Sequence, residues 1–262
     1  MSHKQNAPED REQPLMAHLL ELRSRLLRAV VGILIVFIPA AFYASELYTW
    51  LSGPLLAQLP EGGSLIATGV AAPFLAPFKL AMLTAVVISL PWTLYQIWGF
   101  ITPGLYAQER RLMTPLLISS TALFYLGMAF AYFVVFPVAF NFFVSFAPAG
   151  VTVATDISSY LDFVLGMFIA FGVAFELPIA IYLLVWAGMV TPRALRSYRA
   201  YVLVGAFAVG MLLTPPDVIS QTLLAVPMYL LYEIGIFAAA KLVPGMREVE
   251  AQQDEQRQQG DG

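Results

Sequence analysis

Few side chains in this sequence could do chemistry, and those that could are carboxylates and amides set beside long apolar runs. Glu176 falls near the middle of one run, in Ala-Phe-Glu-Leu-Pro, where a charge costs on the order of 2.5–3.5 kcal/mol on insertion scales. A carboxyl there either serves a polar or cationic ligand or stays protonated and hydrogen-bonded to a neighbouring helix. Glu21 lies in His18-Leu19-Leu20-Glu21-Leu22-Arg23-Ser24-Arg25, off the stripe made by Leu15, Leu19, Leu22 and Leu26 and therefore toward water. Its spacing admits an ion pair with Arg25, worth about 0.2–0.5 kcal/mol, or a carboxylate held at the membrane interface for a cationic ligand. Glu109, followed by Arg110 and Arg111, is the only acid between the second and third runs and taken alone reads as a solvated loop charge. Asp217 is placed to cap the last run, with Thr214 before it and the Gln221 amide four residues on. An amide in lipid seeks a partner, within its own bundle or on another chain.

Several chemistries lack their parts. The sequence has no His-Glu-x-x-His, no Gly-x-Ser-x-Gly and no Walker-type glycine loop; its two histidines, His3 and His18, lie outside the apolar runs, and it has no cysteine. Intramembrane hydrolysis, ATP-driven pumping, thiol chemistry and cysteine-ligated metals are excluded, and neither a cofactor nor a metal site is expected. Not being an enzyme, the chain could still be a proton- or cation-coupled secondary transporter centred on Glu176.

The elements that position these residues are membrane spans. The chain of 262 residues is 59% hydrophobic and 12% charged, with a mean hydropathy of +0.75. Apolar runs cover Leu26–Ala44, Leu80–Ile101, Thr114–Phe136, Phe163–Val190, Tyr201–Leu213 and Val218–Ala240. Of the 14 lysines and arginines, five cluster up to the start of the first run, two follow the second, three follow the fourth and three follow the sixth, leaving only Lys79. By the positive-inside rule this predicts an all-α protein of six transmembrane helices with both termini in the cytoplasm. The turn Thr214-Pro215-Pro216-Asp217 makes spans five and six two short crossings, beside which the bilayer is expected to thin.

Pro39, Pro91, Pro137, Pro178 and Pro227 bend their helices, so the bundle is expected to be concave. Thr102-Pro103 and Thr191-Pro192 each signal a short helix with a threonine N-cap. The first run, longer than a signal h-region and preceded by a polar leader of some 25 residues, reads as a retained anchor. Residues 1–13 form a polar cytoplasmic leader, 14–243 the six-span core and 244–262 a polar, disordered cytoplasmic tail. The net charge of −3 sits mostly in the two tails, and nothing suggests a nucleic-acid surface.

Four motifs carry a resemblance: His-Leu-Leu-Glu-Leu-Arg at 18–23, Phe-Ile-Thr-Pro-Gly-Leu-Tyr-Ala-Gln-Glu-Arg-Arg at 100–111, Phe-Glu-Leu-Pro at 175–178 and Leu-Thr-Pro-Pro-Asp-Val-Ile-Ser-Gln at 213–221. In order and spacing the chain, from residue 14 to about 243, resembles TatC, the multispanning subunit of the twin-arginine protein translocase. The resemblance implies a glove-like bundle in the bacterial inner membrane that recognises twin-arginine signal peptides of folded cargo. It implies single-span TatA-like and TatB-like partners, self-association in a larger complex, and transport driven by the proton motive force. Glu21, Arg23, Phe100, Glu109 and Arg110 would form the signal-recognition surface, and Glu176 would face the interior. Thr214 and Gln221 would receive a partner helix, and Pro54, Asp156 and Asp217 would belong to the outer face.

Overall fold

The computed structural model describes residues 9–56, 65–101, 113–145, 154–213 and 218–243. Among them eleven α-helices run in chain order: α1 (Glu9–Phe42), α2 (Ala44–Leu56), α3 (Ala72–Ile88), α4 (Leu90–Ile101), α5 (Met113–Phe130), α6 (Phe136–Ser145), α7 (Ile157–Ala174), α8 (Leu177–Trp186), α9 (Pro192–Ser197), α10 (Arg199–Leu213) and α11 (Val218–Leu242). A π-helical turn, Ala131–Val135, joins α5 to α6, and two short strands, β1 (Leu65–Ile66) and β2 (Thr155–Asp156), pair in parallel. The helix of α1 already includes Glu9–Glu12, so part of the polar leader is helical.

Among the described residues four continuous helical stretches are long and apolar enough to cross a membrane: His18–Phe42, Thr114–Ser145, Ile157–Trp186 and Gln221–Leu242. A fifth arises if α3 and α4, bent by 53° at Ser89, are one broken span. The sixth apolar segment is α10, whose 15 residues reach about 22 Å against a hydrocarbon core of about 30 Å. By contrast α11, at 25 residues, is long enough for a full crossing, so the shortness expected of the last two spans belongs to α10.

Proline chemistry explains the breaks. Pro91 offers no N–H to the carbonyl four residues back, and its ring crowds that carbonyl, so the second span bends just before it. Pro178 acts in the same way at the α7–α8 junction, where Glu176 N–H turns to the Val173 carbonyl at 3.0 Å in a tighter, three-residue step. Pro137 follows the π-helical turn, in which Phe136 N–H reaches back to the Ala131 carbonyl; the widened turn accommodates the missing donor. Pro39 and Pro227 remain inside unbroken helices.

The chain divides into two compact units, Met1–Tyr48 with Pro77–Thr121, and Thr49–Ala76 with Ala122–Gly262. In the first, α1 packs on α3 and α4. Ala40, Ala44 and Ala81 form a small-residue contact beside Phe37, and the Phe37 and Phe78 rings meet edge-on at 5.1 Å. Further along, Trp92 Nε1 donates to the Arg28 carbonyl at 3.0 Å, and its indole occupies the space where a Cβ on Gly32 would be. Small residues thus let the helices approach closely, as membrane helices require.

In the second unit α11 packs against α8 and α10. Tyr232, Ile236, Ala239 and Val243 bury against Ile181 and Val185, and Gly235 lets α11 pass close to Pro178. Tyr232 OH donates to the Leu195 carbonyl at 2.6 Å, and Arg199 pairs with Glu233 at 2.6 Å. The helix α9 begins as its sequence suggested, with Thr191 Oγ1 accepting Ala194 N–H at 3.2 Å. An aromatic cluster built on Phe136, Phe140, Phe163 and Phe168 fills the space between α6 and α7.

Candidate functional site

The first unit brings a carboxylate, a guanidinium and two rings together where α1 meets the end of α4. His18, Glu21 and Arg25 recur at three and four residues, which places them on one side of α1. That side faces α4: the His18 and Phe100 rings stack at 4.2 Å, and the Arg25 guanidinium lies against Gly99, which has no side chain to exclude it. Glu21 Oε1 accepts Arg25 Nε at 2.9 Å and Nη2 at 2.7 Å. The two side chains are only 33% and 22% exposed respectively.

This corrects one expectation. Glu21 does not point away into water; its side of α1 turns toward α4, whereas Leu19, Leu22 and Leu26 are 57%, 42% and 62% exposed within the chain. A leucine stripe at a membrane is solvated by lipid or by a partner, so it need not be the face that packs internally. Arg23 is exposed and makes no ion pair among the described residues. Phe100 is half-buried. Glu109 and Arg110 lie outside the described residues, as do Thr214 and Asp217.

One turn back along α4, Gln96 is buried, and neither its Oε1 nor the buried Thr93 Oγ1 accepts a hydrogen bond among the described residues. Such acceptors are costly to leave unmet. Nothing in the order of residues singled out Gln96, Thr93 or Gly99, since their role depends on α1 lying across them.

Within the second unit, Glu176 occupies the α7–α8 break, half-buried, with its backbone carbonyl accepting Ala180 N–H at 2.9 Å. Beside the break, Phe130 meets Phe171 and Phe175 at 5.5 and 5.7 Å, and Gly127 sits against the Phe171 carbonyl with no room for a side chain. The residue therefore sits where the chain changes direction, at a bend that Pro178 accounts for.

Gln221 stands at the start of α11 beside Gly210 of α10, its Cα 3.6 Å from where a Cβ on Gly210 would lie. It is half-buried, and its amide has no hydrogen-bond partner among the described residues. Pro54 lies in α2. Asp156 ends β2 and caps α7: Oδ1 accepts the N–H groups of Ser158 and Ser159, each at 3.0 Å, while Oδ2 accepts the backbone N–H of Thr68 at 3.0 Å and its hydroxyl at 2.7 Å. These bonds to Thr68 and to the α7 N-terminus hold the Asp156 carboxyl well below the usual carboxylate range. Nearby, Tyr160 OH donates to the Leu51 carbonyl at 2.7 Å and Trp50 stacks on Tyr132 at 5.0 Å, tying α2 to the same region.

Residues 17–227 match the family model of the Sec-independent protein translocase protein, TatC. The chain belongs to the TatC family. It is 58% identical over 233 residues to the Sec-independent protein translocase protein TatC of Azotobacter chroococcum, covering 89% of this chain and 91% of that one. It is likewise 58% identical to TatC of Escherichia coli K12 over 225 residues, 86% of this chain and 87% of the relative. A crystal structure of a twin-arginine translocase receptor, TatC, superposes with a TM-score of 0.75 at 39% identity, over 85% of this chain and 97% of that one. As a TatC-family member the chain is a multi-pass membrane protein and a component of the Sec-independent translocase, not an enzyme. The secondary-transporter reading of Glu176 receives no support. All four sequence motifs that carried the resemblance fall within the matched span.

Proposed function

We propose that this TatC-family chain is the signal-peptide receptor and assembly core of a twin-arginine translocase, exporting folded proteins across the bacterial inner membrane at the expense of the proton motive force. Both termini lie in the cytoplasm, as the lysine and arginine distribution supports. The observation that carries the reading is the Glu21 site: a carboxylate at the membrane interface, on the α4-facing side of α1, already in hydrogen-bonded contact with a guanidinium.

Chemistry favours an arginine ligand there. A carboxylate accepts two parallel N–H donors from a guanidinium, and lysine cannot reproduce that fork. Glu21 and Glu109 serve as the acceptors for the arginine pair, Phe100 as an apolar and stacking wall, and Arg23 and Arg110 as the cations that orient acidic or carbonyl groups of the bound segment. Gln96 and Thr93 add neutral acceptors along α4.

The remaining candidates divide by location. Glu176 is a polar anchor in the broken α7–α8 helix. Thr214 and Gln221 receive the single helix of a TatA-like or TatB-like subunit, a role the unpartnered amide of Gln221 supports. Pro54, Asp156 and Asp217 order the outer-face segments, and copies of the core, residues 14–243, associate in a larger complex.

Binding of the purified full chain in detergent to a synthetic Arg-Arg signal peptide, against its Lys-Lys counterpart, tests the proposal. The receptor binds the first at least about tenfold more tightly, a difference of about 1.4 kcal/mol; equal affinity for both removes the receptor reading.

A further inference from the structure

The Glu21 carboxylate is not waiting empty for a ligand. Arg25, one helical turn away, donates Nε and Nη2 to the same oxygen, Oε1, at 2.9 and 2.7 Å. Among the described residues Oε2 accepts nothing. The end of α4 is shaped to allow this: a Cβ on Gly99 would collide with Arg25 Nη1 and come within 2.9 Å of Cζ, so a glycine is what lets the guanidinium lie against the helix. Both side chains are more than half withdrawn from solvent, which makes the pair firmer than a surface ion pair.

A guanidinium held fork to fork needs both carboxylate oxygens. From this geometry we infer that Arg25 is a specificity-determining residue, occupying Glu21 in the unliganded receptor and yielding Oε1 only to a ligand that offers more than one guanidinium. The inference rests on the receptor reading of Glu21 and deepens it. Because Arg25 is tethered one turn away, its effective concentration at Glu21 is high. A lysine ammonium, a single point charge, cannot match the two donors it would have to displace. One arginine only replaces like with like. A pair gains, since one guanidinium takes Glu21 while the other reaches a second acceptor. Discrimination then comes from an internal competitor as much as from the ligand's own contacts.

Three synthetic signal peptides that differ only in Arg-Arg, Lys-Arg or Lys-Lys, titrated against the full chain in detergent by fluorescence anisotropy, test this. Arg25→Gln is expected to tighten the Lys-Arg peptide by roughly five- to tenfold and the Arg-Arg peptide by less than about threefold, so that the preference for the pair falls. Gly99→Ala leaves every charge in place and pushes the guanidinium aside; it is expected to shift the same ratio in the same direction. A purely structural role for Arg25 would weaken all three peptides together without changing their ratio. That outcome, or an unchanged ratio in both variants, overturns the inference. Should Arg25→Gln not fold, the ratio in Gly99→Ala decides alone. Failure of the receptor reading looks different: the wild-type chain would then bind Arg-Arg and Lys-Lys peptides alike.

Discussion

Asp156 binds Thr68 through one carboxylate oxygen, which accepts both the backbone N–H and the hydroxyl of that residue across 88 positions of sequence. The other oxygen caps α7. One side chain therefore holds β1 beside β2 and starts the long α7 helix. The cost of losing it is set by five hydrogen bonds to the ionised form, the fifth from the Ser159 hydroxyl to Oδ1 at 3.4 Å.

The pH dependence follows from the sign of the shift. The folded-state value is depressed, so this stabilisation is fully present above the unfolded value of about 3.9 and is lost as pH falls toward the lower folded value. Asp156→Ala is expected to lower the thermal midpoint by about 2–4 °C with the same difference at pH 7 and pH 5. Thermal unfolding in detergent should bring the two proteins together only below about pH 4. A difference that vanishes by pH 6 would contradict the carboxylate clamp.

Gln221 offers a cleaner separation of folding from assembly. Since its amide has no partner among the described residues, Gln221→Leu removes nothing the bundle uses and should keep the thermal midpoint within about 2 °C. Crosslinking to a single-span partner should fall several-fold. Loss of stability with retained crosslinking would mean that the amide is satisfied inside its own bundle.

Glu176 distinguishes an anchor from a proton relay. As an anchor in the α7–α8 break it needs size and hydrogen bonding, so Glu176→Gln should retain most export of a folded reporter while Glu176→Leu should lose it. Equal loss in both variants, at matched protein levels, would require a titrating carboxyl. No other acid lies as deep in an apolar run; Glu233, the nearest candidate, is paired with Arg199.

Much of the architecture was legible because lipid imposes strict rules. Charge placement and run length gave the apolar segments, Thr191-Pro192 gave α9, and the spacing of Glu21 and Arg25 gave their ion pair. The residues that complete the sites were not legible. Gly99 and Gln96 matter only because α1 crosses α4, and Thr68 meets Asp156 only through the fold. The second apolar run starts at Leu80, whereas helix begins at Ala72 and breaks at Ser89. There the uniform apolar pattern hid the boundary, since Pro73 falls in the first turn, where proline is tolerated, and Pro77 lies inside the helix without stopping it. The leucine stripe of α1 misled for the opposite reason: periodicity marks an apolar face without saying whether protein or lipid covers it.

Photo-crosslinking from a probe placed beside the arginine pair of a signal peptide tests the central claim most directly. The adducts should fall on α1 around His18–Arg25 and on the chain from Gln96 to Arg111. Glu21→Ala and Glu109→Ala should each reduce them at least about tenfold, roughly the loss of one charged hydrogen bond, with expression and membrane insertion unchanged. Adducts confined to other segments, or undiminished in both variants, would contradict the account.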